Sequence, residues 1–225
     1  MKSDNRELHK SADLPANDFD RLIDQFPPSL RRHSHRVGIC CYTMARYAKG
    51  SMWFDHLPAG IDIEAAAHWG GILHDVGKLL LPNFRISKES YMQHPALGTD
   101  FLEKHKDELF ENEVHAQIVM EMVHYHHVRP DGKGFPKDPK AKAVPFAAGI
   151  CAVADSIDHR LCAKSGPHMN GADVLEKLKR QAGTVFPESA VICAEKVWPQ
   201  IMRHYANWNR DMRLKPQTRI FDGKE

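Results

Sequence analysis

SLRRHSHRVGICCYTMARYA, residues 29–48, decides how this chain is read. Val37, Cys40, Cys41, Met44, Ala45 and Ala48 recur at a spacing of three and four, which places them on one stripe of an α-helix and predicts a buried face. Pro27–Pro28 stands just before it, where a proline's fixed φ and missing N–H suit a helix start. The same period continues outward. A helix is expected from about Ile63 through the His74 region, with Ala66, Trp69, Ile72 and Leu73 inward, until Gly77 and Pro82 break it. Another should run from near Ser87 through Leu97, Phe101 and Leu102. A third covers Glu113 to His127, with Val114, Ile118, Val119 and Met122 on the core side. After a loop rich in Pro, Gly and Lys, Ala147 to Cys162 reads as a nearly all-apolar central helix. Ala172–Gln181 and Glu188–Trp208 follow. No alternating pattern of strand length occurs, so the expected class is all-α.

Composition narrows the class further. The chain has 225 residues, of which 42% are hydrophobic and 27% charged, the balance of an ordinary globular domain. A formal net charge of +2 predicts no general attraction to nucleic-acid polymers or acidic membranes. MKSDNRELHKSADL has no apolar core of a secretory signal, and no run approaches the roughly 18 apolar residues of a membrane span. Cys40, Cys41, Cys151, Cys162 and Cys193 form no CxxC pair, so they read as reduced thiols and the expected compartment is the cytoplasm. The expected organisation is an N-terminal extension at 1–28, one domain at 29–210 and a C-terminal tail at 211–225. Only about 28 residues precede that domain, so no attached sensor module is expected.

Histidine is the outlier, at 15 residues. His74–Asp75–Val76–Gly77–Lys78 places an imidazole and a carboxylate side by side where a helix is about to end. There they can converge on a metal, because two carboxylate oxygens can serve two ions while an imidazole serves one. Gly77 permits the turn, and Lys78 leaves a cation suited to phosphate oxygens. An HD dipeptide alone is weak, since chance and helix capping account for many. Its company strengthens it. His33 lies in an HSHRV run, His94 precedes Pro95, and His126–His127 close a helix. Asp155 sits mid-way in the apolar 147–162 stretch, where a carboxylate is costly unless paired or bound to metal.

The run His126–His127–Val128–Arg129–Pro130–Asp131–Gly132–Lys133–Gly134–Phe135–Pro136 resembles the signature HHExxDGxGYP of the HD-GYP phosphodiesterases. HDVGK at 74–78 resembles their HD motif, HSHRV at 33–37 their first ligand helix, and HPALG at 94–98 their HPxxG segment. AVADSID at 152–158 is similar to their VADxxDA stretch, and AGTVFPE at 182–188 to the segment after it. The resemblance covers roughly residues 29–205. It implies an HD-domain helical bundle of about seven helices with an HD-GYP-type extension. It implies metal ligands at His33, His74, Asp75, His94, His126, His127 and Asp155, with Asp75 bridging two divalent ions, iron or manganese. One ion would also take His33, His74 and Asp155, and the other His94, His126 and His127. Two cations would activate water and balance charge at phosphorus, with Asp75 and Lys78 as catalytic residues. Lys78 would also contact substrate phosphate. The implied reaction is cleavage of a cyclic dinucleotide, cyclic di-GMP first, to pGpG or on to GMP.

Four features depart from the family pattern. Val128 replaces the motif glutamate and Phe135 the tyrosine of GYP. Ser29 stands one turn before His33, where members with a third metal carry glutamate. Lys164–Ser165–Gly166–Pro167 replaces an RPYR segment, so Lys164 keeps one substrate-binding cation without arginine's bidentate fork. The changes at Val128, Phe135 and the former RPYR segment fall around the substrate, while Ser29 implies two ions rather than three. Cyclic GMP-AMP, another nucleotide, or a signalling module with little turnover are therefore the competing readings. The DGKGFP loop argues against a di-iron oxygenase. The expected partner is a cyclic dinucleotide, with a homodimer or a signalling protein also open, and no membrane insertion.

Overall fold

A computed structural model describes residues 19–54, 57–81, 87–137, 144–162 and 169–211. These residues form α1 (Phe19–Asp24), α2 (Pro28–Ala48), α3 (Ile63–Leu73), a 3-10 turn (Val76–Leu80), α4 (Lys88–Tyr91), α5 (His94–Lys104), α6 (Lys106–Leu109), α7 (Glu113–Tyr125), α8 (Phe146–Leu161), α9 (Gly171–Gln181), α10 (Glu188–Lys196) and α11 (Trp198–Asp211). Among the described residues the only β pairing is an isolated bridge, Ala182 to Phe186. The all-α class is what the helical periodicity led us to expect.

Side chains near the starts explain where several helices begin. Pro28 occupies the first turn of α2. The Asp62 side chain accepts from the backbone N–H of Ala65 at 3.0 Å, Asn112 from Val114 and His115, and Asn170 from Asp173. Each satisfies an N–H that the helix itself cannot, worth about 1 kcal/mol per cap.

Two expected helices are each two. The stretch from Ser87 to Leu102 divides into α4 and α5, and that from Glu188 to Trp208 into α10 and α11. Both second helices carry a proline in their first turn, Pro95 and Pro199. Proline removes an N–H that a continuous helix would need, so the chain restarts there.

Two apolar clusters flank the centre. The first joins α2, α3, α8, α9, α10 and α11 through residues such as Val37, Met44, Ala67, Ile150, Leu178 and Ile201. The second joins α1, α3, α5, α6 and α7 through Leu22, Phe26, Ile72, Leu73, Leu102 and Val123. Full burial of one such leucine contributes about 1.5–3 kcal/mol. Trp69 belongs to the second cluster and stacks on Phe19 with ring centroids 4.3 Å apart. Residues of α1, from the stretch ahead of residue 29, are thus part of a core.

Helix α3 contributes to both clusters and crosses α2 closely at Gly71. A Cβ on Gly71 would stand 2.8 Å from the Gly38 Cα and 2.9 Å from Cys41 Sγ. That tight crossing carries the end of α3, with His74 and Asp75, between the two cores. All five cysteines are free thiols, and all but Cys162 are buried. No helix of the described residues is long and apolar enough to cross a membrane.

Candidate metal centre

Five separate stretches deliver the candidate ligands. His33 comes from the second turn of α2 and His94 from the first residue of α5. His126 and His127 lie where α7 stops, and Asp155 is inside α8. His74 and Asp75 leave α3 at its last turn. His74 keeps helical angles, whereas Asp75 adopts φ −103° and ψ 11°, and this break turns its carboxylate inward beside the imidazole. Gly77 carries ordinary angles for any residue. Its smallness serves close packing rather than the turn we expected, because a Cβ there would collide with the His94 carbonyl. The contact holds the 3-10 turn against the start of α5, and so holds Asp75 next to His94.

The imidazoles are aimed by their far nitrogens. Nδ1 of His74 donates to the Gly71 carbonyl at 2.8 Å, Nδ1 of His94 to Tyr91 at 2.7 Å, and Nδ1 of His126 to Val123 at 2.8 Å. A carbonyl can only accept, so each Nδ1 carries a proton and Nε2 is the atom each ring can offer to a metal. His33 donates its Nδ1 proton to Asp158 Oδ2 at 2.7 Å. The Nε2 atoms then face one another, His33 to His74 at 3.2 Å and His94 to His126 at 3.3 Å. Two nitrogens at that separation need a proton or a metal cation between them.

Asp75 connects the two pairs. Its Oδ2 lies 3.3 Å from His74 Nε2 and 3.7 Å from His33 Nε2. Its Oδ1 lies 3.3 Å from His94 Nε2 and 3.9 Å from His126 Nε2. Asp155 Oδ1 stands 3.1 Å from His33 Nε2 and 3.7 Å from His74 Nε2. Yet Asp75 Oδ1, Asp155 Oδ1 and His127 Nε2 are buried and take part in no hydrogen bond of acceptable geometry. Buried polar atoms seldom go unpaired, and an ion is one way to satisfy them. His94, His126 and His127 could hold one, and so could His33, His74 and Asp75. The donor set fits a metal.

The charges agree with that arrangement. Burial alone would raise the Asp75 carboxyl, but His74 and Lys78 hold it well below the usual carboxylate range. Asp155 is held down likewise by His159, His33 and His74 against its own burial. Burial would lower His74, but Asp75 and Asp155 push it up to about 10. His127 is lowered to about 4, chiefly by burial, and His126 well below its usual value by burial and neighbouring imidazoles. Lys78 Nζ is 2.5 Å from Asp75 Oδ2, and its ammonium lies 5.2 Å from the Tyr91 ring centroid. That partner raises its pKa despite burial, so it stays protonated.

The loop after α7 shapes one wall. Asp131 accepts from the Lys133 N–H and from Arg129, which ties the loop to itself. Phe135 packs on His127 with centroids 4.4 Å apart. Lys164 lies outside the described residues.

Three residues behind His33 were not singled out from sequence. Asp158 accepts from His33, from Arg36 Nε at 2.5 Å and Nη2 at 2.9 Å, and from the Tyr205 hydroxyl at 2.8 Å. The available signal was a second aspartate one turn after Asp155 in an apolar helix, which needs partners for the same reason.

Comparison with protein families matches residues 30–160 to the HD domain. This chain belongs to that family. The HD domain span includes all seven candidate ligands together with Asp158, while Tyr205 lies beyond it. The chain is 32% identical over 136 residues to a protein of Thermotoga maritima named cyclic di-GMP phosphodiesterase, covering 56% of this chain and 33% of that protein. It is 25% identical over 183 residues to a cyclic di-GMP phosphodiesterase of Pseudomonas aeruginosa, covering 72% and 42%. It is 27% identical over 141 residues to the 3'3'-cGAMP-specific phosphodiesterase 2 of Vibrio cholerae, covering 58% and 26%. The chain thus spans less than half the length of each of these relatives.

Proposed function

We propose that this HD domain is a metal-dependent phosphodiesterase that opens a cyclic dinucleotide, cyclic di-GMP first, using two divalent ions, iron or manganese, bridged by Asp75. One observation carries the reading. The two oxygens of a single buried carboxylate face two separate histidine pairs whose Nε2 atoms converge. His33, His74 and Asp155 would hold one ion, and His94, His126 and His127 the other. The imidazole and carboxylate mixture suits iron or manganese better than a closed structural zinc site. The names of the relatives and the motif resemblance support the substrate class.

Bound ions of this kind supply Lewis acidity, activating water and balancing the charge that builds at phosphorus. The protein's own groups are set for the rest. Asp75 and Asp155 stay ionised, and His126 and His127 stay neutral with free lone pairs. Lys78 keeps its proton and offers N–H donors to a phosphate oxygen. Lys164 is our second candidate for a phosphate contact. The catalytic unit we propose is residues 29–210, and its free thiols favour a cytoplasmic setting.

A binding module with little turnover is the second reading. Phe135, covering His127 without a hydroxyl, favours it. The two separate cleanly when protein loaded anaerobically with iron or manganese is incubated with cyclic di-GMP, 3'3'-cGAMP and linear nucleotides. We expect a cyclic dinucleotide to be opened, and His74→Ala and Asp75→Ala to abolish it. Tight binding with no turnover by the metal-replete wild type would favour the module. Hydrolysis of linear nucleotides alone would move the substrate class.

A further inference from the structure

His159 lies one turn after Asp155 on α8, at the rim of the site. Its Nε2 stands 3.2 Å from Asp155 Oδ1, and its ring centroid is 4.8 Å from that of His33. The side chain is 63% exposed, while that of Asp155 is 12% exposed. A histidine one turn from a carboxylate is often no more than a helix-surface pair. Two observations go further here.

The first concerns the oxygen between the rings. Asp155 Oδ1 is buried and takes part in no hydrogen bond, although His33 Nε2 and His159 Nε2 both lie within 3.2 Å of it. Two nitrogens crowd it, and neither meets it with hydrogen-bond geometry. The second concerns His33. Its Nδ1 is committed to Asp158, so its one lone pair lies at Nε2, beside the same oxygen. One donor atom from each of His33, Asp155 and His159 falls within 4.8 Å of the others, a spacing suited to a single ion.

We propose that His159 is an additional ligand of the ion that His33 and Asp155 hold, supplied from the solvent side of α8. The inference rests on the two-ion reading above. A separate third ion does not fit the trio, because His33 has one lone pair to give and it is shared with the buried site. In the VADxxDA pattern the residue after the second aspartate is alanine, so His159 is a feature of this chain rather than of the pattern. The ion on the carboxylate side would thereby carry one exposed ligand, and the other ion none.

Zinc titration of the metal-stripped full chain, followed by nitrogen-15 resonances of the histidine side chains, tests this without any turnover. We expect two zinc ions per chain, with the His159 Nε2 resonance shifting in the same step as that of His33. His159→Ala and His159→Gln should both weaken that zinc by about tenfold or more, a loss that even a supporting partner of a ligand can cause. The zinc reported by His126 and His127 should be unchanged. Two bound ions with an unmoved His159 resonance would overturn the inference alone. So would full affinity in His159→Gln, or loss of a whole third equivalent in His159→Ala. A wild-type chain that takes up no zinc would overturn the two-ion reading as well.

Discussion

The two sides of Asp75 are built from similar imidazoles, and main-chain carbonyls aim His74 as they do His94 and His126. The sides differ in what backs His33 and in the charge around the rings. On one side, His33 and His74 face Asp155 and Asp75, and a side-chain network of Asp158, Arg36 and Tyr205 backs His33. There the histidines are raised, His74 to about 10. On the other side, His94 and His126 are aimed by backbone carbonyls, and His127 is covered by Phe135. There His126 and His127 are lowered by burial. One side is thus electrostatically prepared for positive charge, and the other is prepared by withholding protons. The difference teaches that one donor type can be tuned by what stands behind it.

The largest effect should come from removing what the sides share. Asp75→Asn leaves both histidine pairs without their common carboxylate. Turnover should fall by more than the about 10²–10³-fold that loss of a single transition-state donor costs. Metal content measured on the same sample should drop below two ions per chain. Retention of both ions at wild-type affinity would mean that the sides are independent.

Asp158→Asn breaks only the carboxylate side. We expect the ion on His33 to weaken by about 10–100-fold in chelator competition, while the ion on His126 and His127 is unaffected. Arg36 would also lose its buried partner, so urea unfolding should show a loss of about 3–5 kcal/mol. No substitution has the same meaning across Asp75, because main-chain carbonyls aim His94 and His126.

Acid should separate the sides next. His127 has a folded pKa of about 4 against an ordinary value of 6.5. Between those values the unfolded chain binds the proton and the folded one does not. Metal-free protein therefore loses stability as pH falls from about 6.5 to about 4 through this group. His74 has the opposite sign. Its contribution is full below 6.5 and disappears as pH rises through about 10. Metal on the His74 side must displace that proton, so its affinity should rise by about tenfold per pH unit between 6.5 and 10. Metal on the His126 side should be nearly flat there. Titration of metal-free and metal-loaded samples by thermal unfolding and chelator competition checks both slopes.

The smallest change is Phe135→Tyr, which adds one hydroxyl on the proton-withholding side. Stability should stay within about 0.5 kcal/mol. Turnover should change by less than about tenfold, the reach of one hydrogen bond. A larger gain would make the missing hydroxyl a main limit on activity.

Much of this contrast could be read from the chain in advance. The helical stripes of α2, α3 and α7 carried the fold class, and short motifs carried all seven candidate ligands. The network behind His33 could not be read so easily, because it joins Arg36, Asp158 and Tyr205 across the whole chain and beyond the HD domain span. No local period encodes such a meeting. The helix breaks before His94 and Trp198 were legible in principle, through Pro95 and Pro199, but continuous apolar spacing masked them. Gly77 was recognised as necessary for a reason that only packing against His94 corrects.

A crystal of the manganese-loaded chain, with anomalous scattering measured at the manganese edge, tests the central claim most directly. Two peaks should appear on opposite sides of the Asp75 carboxylate, one against His33, His74 and Asp155 and the other against His94, His126 and His127. A single peak, or two peaks with Asp75 touching only one, would contradict the account.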